Sequence, residues 1–590
     1  RGVVFLAQQV PQGHIHGGLG TGVVDNTSHG KGAIVNSGEV TLNGGTFKRS
    51  AENGIYSPYG NGGNSWYTIA NYGTMEINTG VTVENAGGYS SMIRNGGEAT
   101  ADCNLTIRGG NFTGGINTVK NDLFGVLTIN GGNFSNTAQY VIMNWNKAEI
   151  TAGTFQTLDT ASAVLFTSAF GSNANYVGEL TISGGEFKHA SDTQEMIVDH
   201  YDESNKGNAV VTGGKFDADI SKYIPTDYVQ SADGTVEKLG ETNAVAKVGG
   251  TYYKTLADAV AAAQDGDTIT LLKDAELTST LNLAKNITID GQGKYTIKAA
   301  NSFTVGSDNK TYCVLYVSGE VTLKDVTVNG NEKCRVIFCD KGKLTIDGAT
   351  ITNGKAPNFI GGVYMTSSAS FEMKSGSITG NKNAKGYQND EYLQYSSDLW
   401  IGANANGALT AINGGTIGNV FVNANAWSAS NPGSFTMNGG TVTNLYVEHD
   451  ANYGATFKYN DGTIEHLYLS KENGNGQSIE VTPVKGVIYN GGVKEQDLVT
   501  LTMKYNDGAT ADSTYNVASG TTITLPTPRR SGYTFNGWYD GSKFYAAGAS
   551  YTVSATVTLN ASWSYISSGS SYDPTYSVST PSKTEHGTVT

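Results

Sequence analysis

Cysteine is scarce in this 590-residue chain: Cys103, Cys313, Cys334 and Cys339 are the whole set. No Cys-x-x-Cys pair occurs, which removes the ligand spacing of a structural zinc site. Basic residues are also few, 38 Lys and Arg against 52 Asp and Glu, for a net charge of −14. That balance argues against nucleic-acid partners and anionic membrane surfaces. No apolar run approaches the ~18 residues of a membrane span, so no membrane insertion is expected. Gly-x-Ser-x-Gly, Walker and zincin motifs are missing too. No catalytic residue, metal or cofactor is therefore expected, and the chain is read as a non-enzyme.

Glycine, in contrast, is abundant at 77 residues, well above the usual ~7%. Much of it falls in one recurring phrase, an apolar strand, a glycine pair and a closing apolar residue. Leu127-Thr128-Ile129-Asn130-Gly131-Gly132-Asn133-Phe134 is the clearest copy. Gly44-Gly45-Thr46-Phe47, Gly109-Gly110-Asn111-Phe112, Gly184-Gly185-Glu186-Phe187 and Gly213-Gly214-Lys215-Phe216 repeat it, and Gly414-Gly415-Thr416-Ile417 and Gly439-Gly440-Thr441-Val442 carry it into the second half. Phe112, Phe134 and Phe155 are spaced 22 and 21 residues apart. Repeats of that length mean stacked units, because one unit cannot bury its apolar face alone.

The length suits one coil of a parallel β-helix, with three short strands joined by turns. Leucine-rich repeats lack their Leu-x-x-Leu-x-Leu frame here, and a propeller needs about 40 residues per blade. An immunoglobulin-like sandwich array is a weaker alternative. Irregular gaps, such as 32 residues from Phe155 to Phe187, favour a solenoid with loops projecting from its corners. The glycines supply φ > 0 conformations, and Asn43, Asn130, Asn413 and Asn438 beside them are placed to stack into amide ladders. Cys313 and Cys334 lie 21 residues apart, one coil. Free buried thiols are the expectation there, with a disulfide between coils as the alternative.

Taken in order, residues 1–30 are irregular. His14, His16 and His29 fall here, and a His-x-His pair on an extended segment resembles a metal site, but a loose terminus is the expectation. A first solenoid is expected over 31–240, its polar, proline-containing end from Asp217 to Leu239 serving as a cap over open strand edges. A second is expected over 245–493. It opens with a short amphipathic helix in which Thr255 is the N-cap, Asp258 sits at N3, Leu256, Ala259, Val260 and Ala263 form the apolar stripe, and Gly266 is the stop. Residues 497–564 change character, and 565–590 form a flexible linker and the start of a further repeat.

Two resemblances follow from these residues. The helix, then Asp265-Gly266-Asp267-Thr268-Ile269 and Ile287-Thr288-Ile289-Asp290-Gly291, resemble the capped start of pectin-lyase-like right-handed β-helix proteins over about 245–490, and more loosely over 31–216. Gly532-Tyr533-Thr534-Phe535-Asn536-Gly537-Trp538-Tyr539 with Ala561-Ser562-Trp563 resembles the internalin B-repeat, or Listeria–Bacteroides repeat, a small β-grasp module. The fold class expected is all-β: two tandem right-handed parallel β-helix solenoids followed by that module. The second resemblance implies a secreted or wall-anchored protein of a Gram-positive bacterium, in which the module supports a binding region.

Acidic residues are scattered: Asp325, Asp347, Asp390, Glu391, Asp398 and Asp461. Aromatics are more suggestive. Tyr56, Tyr59, Trp66, Tyr67 and Tyr72 group in an early insertion, Tyr140 and Trp145 in another, and Tyr387, Tyr392, Tyr395 and Trp400 in the longest, with Trp427 nearby. Aromatic side chains in loops offer flat apolar area with a polar handle at low entropy cost. Tyr56, Tyr59, Trp66, Tyr67, Trp145, Tyr387, Tyr392, Tyr395, Trp400 and Trp427 are the candidate ligand-binding residues. The expectation is a monomeric, adhesin-like surface protein that binds a host glycan or a host protein, immunoglobulin being one candidate. A polysaccharide lyase or glycosidase is the rival, and a structural stalk the third reading.

Overall fold

The computed structural model describes residues 22–566, apart from 27–31, 50–66, 86–90, 98–100, 137, 159–160, 171–175, 357–359, 367, 384–395, 404, 425–430, 451–452, 473–476 and 495–496. The described chain is nearly all β, and most of its strand pairs are parallel. It divides into two compact units, Arg1–Asp258 and Ala259–Thr590. Candidate residues Tyr56, Tyr59, Trp66, Tyr387, Tyr392, Tyr395 and Trp427 lie outside the described residues, as do His14, His16, His29, Asp390 and Glu391.

In the N-terminal unit the repeat builds two stacks rather than three. One stack is made of long strands, among them Glu39–Arg49, Thr74–Asn85, Gly125–Asn136, Lys147–Thr157 and Glu179–Lys188. The glycine pair was expected to end a strand; instead it bends one continuous strand. Register between Gly125–Asn136 and Lys147–Thr157 slips at Asn130 and resumes at Asn133 opposite Thr154. The second glycine takes the left-handed conformation, φ 111° at Gly132, and its missing Cβ leaves room for the closing ring, since a Cβ there would stand 3.1 Å from Phe134 Cε2 and 3.2 Å from Phe112 Cε2. That geometry explains the Gly-Gly-x-Phe spelling: bend, then ring laid over the bend.

Stacking follows from the register. Phe112, Phe134, Phe155, Phe187 and Phe216 form a column with centroids 4.6, 4.9, 4.8 and 4.5 Å apart and ring planes within 10°. The rings join Leu127, Ile129, Ile150, Ile182 and their counterparts in one buried core. At the end of this stack, Tyr228–Gln230 and Val236–Lys238 pair antiparallel, and Phe216 N–H donates to the Gly234 carbonyl at 3.0 Å. Val236 and Ile220 enter the same core, so segment 217–239 covers the last parallel strand.

The helix forms as its sequence requires, over Leu256–Ala262. Asp258 N–H donates to Thr255 Oγ1 at 3.1 Å, and Gly266 is left-handed at φ 92°. Lys285 Nζ donates to the carbonyls of Ala261 and Ala263, at 2.7 and 2.5 Å, placing a cation on the negative end of the helix.

In the C-terminal unit each strand from Thr268–Leu271 to Ser377–Ile378 pairs with the strand three places further on, giving three parallel ladders. Ile287–Asp290, Glu320–Lys324, Lys343–Asp347 and Ser370–Met373 lie in one. Cys313–Val317, Arg335–Cys339, Val363–Met365 and Leu399–Ile401 lie in another. After Thr456–Ser470 the direction reverses: Ser478–Val481 and Val487–Asn490 both pair antiparallel with it and cover the edge. All four cysteines are free and buried.

Residues 498–565 form a five-stranded mixed sheet. Leu498–Lys504 and Val557–Tyr565 make its parallel central pair, Ser513–Ala518 flanks the first, and Tyr533–Tyr539 with Phe544–Tyr545 flanks the second. Trp538 is fully buried and its indole N–H reaches the Pro526 carbonyl at 2.9 Å. Trp563 donates likewise to the Tyr505 carbonyl at 2.8 Å. These two bonds account for the tryptophans of the motif.

Candidate functional site

The second stack of the N-terminal unit, seven short strands from Ile34–Asn36 to Glu195–Val198, positions the candidate site. Five of the seven strands end in an apolar residue, an intervening residue and a buried asparagine, among them Ile69-Ala70-Asn71, Ile93-Arg94-Asn95, Val119-Lys120-Asn121 and Ile142-Met143-Asn144. The asparagines are fully buried and joined side chain to side chain, Asn36 to Asn71 at 2.7 Å, Asn71 to Asn95 at 2.8 Å, Asn95 to Asn121 at 2.9 Å and Asn121 to Asn144 at 2.8 Å. Asn144 continues the column to Thr167 Oγ1 at 3.1 Å.

The residue after each asparagine is thereby fixed. Tyr72, Asp122, Trp145 and Ser168 donate their backbone N–H to the carbonyls of Asn36, Asn95, Asn121 and Asn144. They form a second column beside the outward residues Arg94, Lys120, Met143 and Phe166, which are register partners in sequence. Arg94 and Lys120 both bind Asp122, at 3.0 and 2.9 Å. Arg94 also lies over the Tyr67 ring at 5.2 Å. Burial disfavours its charge, but Tyr67 and Asp122 outweigh that effect and hold the guanidinium above its ordinary pKa.

Further along the same face, Phe166 packs against Tyr140 at 4.9 Å and Trp145 at 5.0 Å, and Trp145 continues to Phe170 at 5.3 Å and Tyr201 at 6.1 Å. The candidates Tyr67 and Trp145 therefore belong to one face, joined through Arg94, Lys120, Met143 and Phe166. Phe170 and Tyr201, 44% and 72% exposed, are the residues that sequence reasoning missed.

Two placements are corrected. Trp145 and Trp400 were expected on exposed loops, but each is only 7% exposed. Trp145 ends a strand and is enclosed by other rings. Trp400 lies within the strand Leu399–Ile401, where register stacks it on Phe421 at 4.3 Å and sets it edge-on to Tyr364 at 5.9 Å. The column Tyr316, Phe338, Tyr364, Trp400, Phe421, Tyr446 runs through six successive strands of the C-terminal unit, and its later members are wholly buried. Arg335, 2% exposed, lies over the Tyr364 ring at 4.6 Å and donates to the Ile360 carbonyl and to Asn309 Oδ1.

The carboxylates serve the fold. Asp398 is buried and accepts from Asn381 Nδ2 at 2.8 Å, Asn419 N–H at 3.0 Å and Ser397 Oγ at 3.1 Å, tying coils together. Burial still raises its pKa. Asp347 pairs with Lys374, and Asp461 with Lys485. Among the described residues no group of three His, Cys, Asp or Glu is arranged to hold a metal ion, and no helix is long and apolar enough to cross a membrane.

With the geometry in hand, one class of module is established by comparison. The family model described as the Listeria-Bacteroides repeat domain matches residues 500–562, the five-stranded sheet above. This repeat is typical of bacterial surface proteins. No curated protein and no solved structure matches the chain.

Proposed function

We propose that this chain is an extracellular, adhesin-like protein of a bacterial surface, that both units are right-handed β-helical solenoids, and that the terminal β-grasp-like repeat supports them. It works by binding a host glycan or a host protein, not by catalysis, and as a monomer. The observation that carries this reading is the convergence of Tyr67, Tyr72, Arg94, Tyr140, Trp145, Phe170 and Tyr201 around one sheet face. Large rings with polar edges beside an arginine are the chemistry of recognition surfaces. On that face Asp122 is held in ion pairs by both Arg94 and Lys120, which supports a structural part for it.

The test is binding of the chain to a glycan array and to host mucosal proteins, antibodies included, alongside Tyr67→Ala and Met143→Glu. Saturable binding that Met143→Glu weakens places recognition on this face. Silence on both panels rejects the reading, and polysaccharide cleavage is then the next assay.

A further inference from the structure

Ser168 is wholly buried, yet it anchors a surface loop. Its Oγ accepts the Tyr201 N–H at 2.9 Å and donates to the Asn205 carbonyl at 2.7 Å. Gly207 closes the loop against Thr167 and Ser168, where a Cβ would meet backbone atoms at 2.6–2.7 Å. Inside the loop the Asp202 carboxylate accepts from Ser204 N–H at 3.0 Å and Asn205 Nδ2 at 2.8 Å. Opposite, Phe170 N–H donates to the Tyr176 carbonyl at 2.9 Å. Two exposed rings, each with its backbone N–H bonded, thus pack against Trp145, Phe170 at 5.3 Å and Tyr201 at 6.1 Å. Backbone anchored at these points loses little further freedom when a ligand covers the rings.

We propose that Tyr201 and Phe170, floored by Trp145, form a stacking site for a neutral hexose unit of a glycan. The inference rests on the binding-face reading above and narrows it. Charge sets the ligand class. Lys222 and His200 are paired with Asp199 at 2.7 and 2.8 Å, and Lys206 with Glu203 at 3.6 Å. Among the described rim residues each lysine is matched by a carboxylate, and Asp202 adds one carboxylate with no cationic partner, so the rim carries a net negative charge that disfavours an anionic sugar. Size argues the same way. Two exposed rings fall far short of the roughly 800 Å² per partner of a stable protein interface. The C–H face of a hexose fits a ring, and its hydroxyls fit the Asp202, Ser204 and Asn205 edge.

The experiment uses the full chain on an array of neutral glycans, sialylated and uronate-bearing glycans, and a panel of host proteins. Tyr201→Ala, Phe170→Ala, Tyr201→Phe and Tyr565→Ala, an exposed tyrosine of the other unit, are compared, with circular dichroism melting to show that each variant is folded. The expected result is neutral-glycan binding reduced about tenfold by Tyr201→Ala and by Phe170→Ala, kept within about twofold by Tyr201→Phe, and unchanged by Tyr565→Ala. Neutral-glycan binding indifferent to both alanine variants overturns this site and leaves the wider binding face standing. Binding confined to acidic glycans or to proteins overturns the ligand class. No binding on any panel overturns both readings.

Discussion

Asn95 Nδ2 donates to Asn121 Oδ1 at 2.9 Å, and neither residue has any exposed surface. The same amide also reaches the Cys103 carbonyl at 2.9 Å, so one side chain ties its own coil to the next. Asn121 repeats the arrangement toward Gly125, Lys147 and Asn144. Replacing it with alanine strands several buried acceptors, at ~1–3 kcal/mol for each group left without a partner. Asn121→Ala is therefore expected to destabilise the N-terminal unit by about 3 kcal/mol, read as a lower urea midpoint for its transition. Asn43→Ala, whose amide ladder to Asn78 is exposed, should cost less than about 0.5 kcal/mol and leave that midpoint nearly unmoved. Equal effects would mean that the buried ladder is no more than decoration.

The phenylalanine column makes a different demand. Phe155 is fully buried between Phe134 and Phe187 at 4.9 and 4.8 Å. Phe155→Ala opens a cavity and breaks two ring contacts, an expected loss of ~3–5 kcal/mol. Gly153→Ala attacks the same place from the backbone, since Gly153 has φ 124° and its new Cβ would stand 3.1 Å from Phe155 Cε2. Both variants should lower the same denaturation midpoint, and a neutral Gly153→Ala would refute the account of the Gly-Gly-x-Phe repeat.

How much of this was legible depended on whether the determinant was local. The strand, the glycine bend and the closing ring recur within eight residues, so parallel stacking was readable from Leu127 to Phe134 alone. The capping helix was readable for the same reason. The buried asparagine ladder is present as an apolar-x-Asn phrase ending at Asn71, Asn95, Asn121 and Asn144, which carries no glycine; of the ladders expected beside the glycines, those at Asn43, Asn413 and Asn438 form, on exposed surface, whereas Asn130 accepts from Thr151 Oγ1 at 2.8 Å instead of from an amide. Trp400 read as a loop residue because its ring partners Tyr364 and Phe421 are a coil away. Tyr201 went unnoticed because Ser168, 33 residues earlier, is what holds it.

Thiol chemistry gives a clean check on the coil interior. Burial pushes Cys313, Cys334 and Cys339 up to about 12, so the reactive thiolate at pH 8 is scarcer than in a free cysteine by a factor on the order of 10³. The native chain should react with a thiol reagent at none of these positions within minutes; in urea Cys103 should become reactive with the N-terminal unit's transition, and Cys313, Cys334 and Cys339 with that of the C-terminal unit. Recovery of fewer than four thiols after unfolding would show a disulfide where the structure has free cysteines.

Acid should destabilise the repeat module. Asp507 accepts from Thr510 Oγ1 at 2.6 Å, Thr510 N–H at 2.7 Å and Ala509 N–H at 2.9 Å, and these bonds lower its pKa to about 2. Asp540 is lowered further by the Lys543 and Ser542 backbone amides. A carboxylate whose folded pKa lies below its unfolded value of ~3.9 stabilises the fold above that value and loses the contribution as pH falls through the folded pKa. The module should therefore be insensitive between pH 7 and about 5, then lose stability progressively from about 4 toward 2. Asp507→Asn should flatten part of that slope while lowering stability at neutral pH, because an amide cannot accept at both oxygens. Chemical-shift titration of the isotope-labelled chain reads Asp507 directly, and a midpoint near the ordinary value of 3.9 would show that the turn does not hold its carboxylate as described.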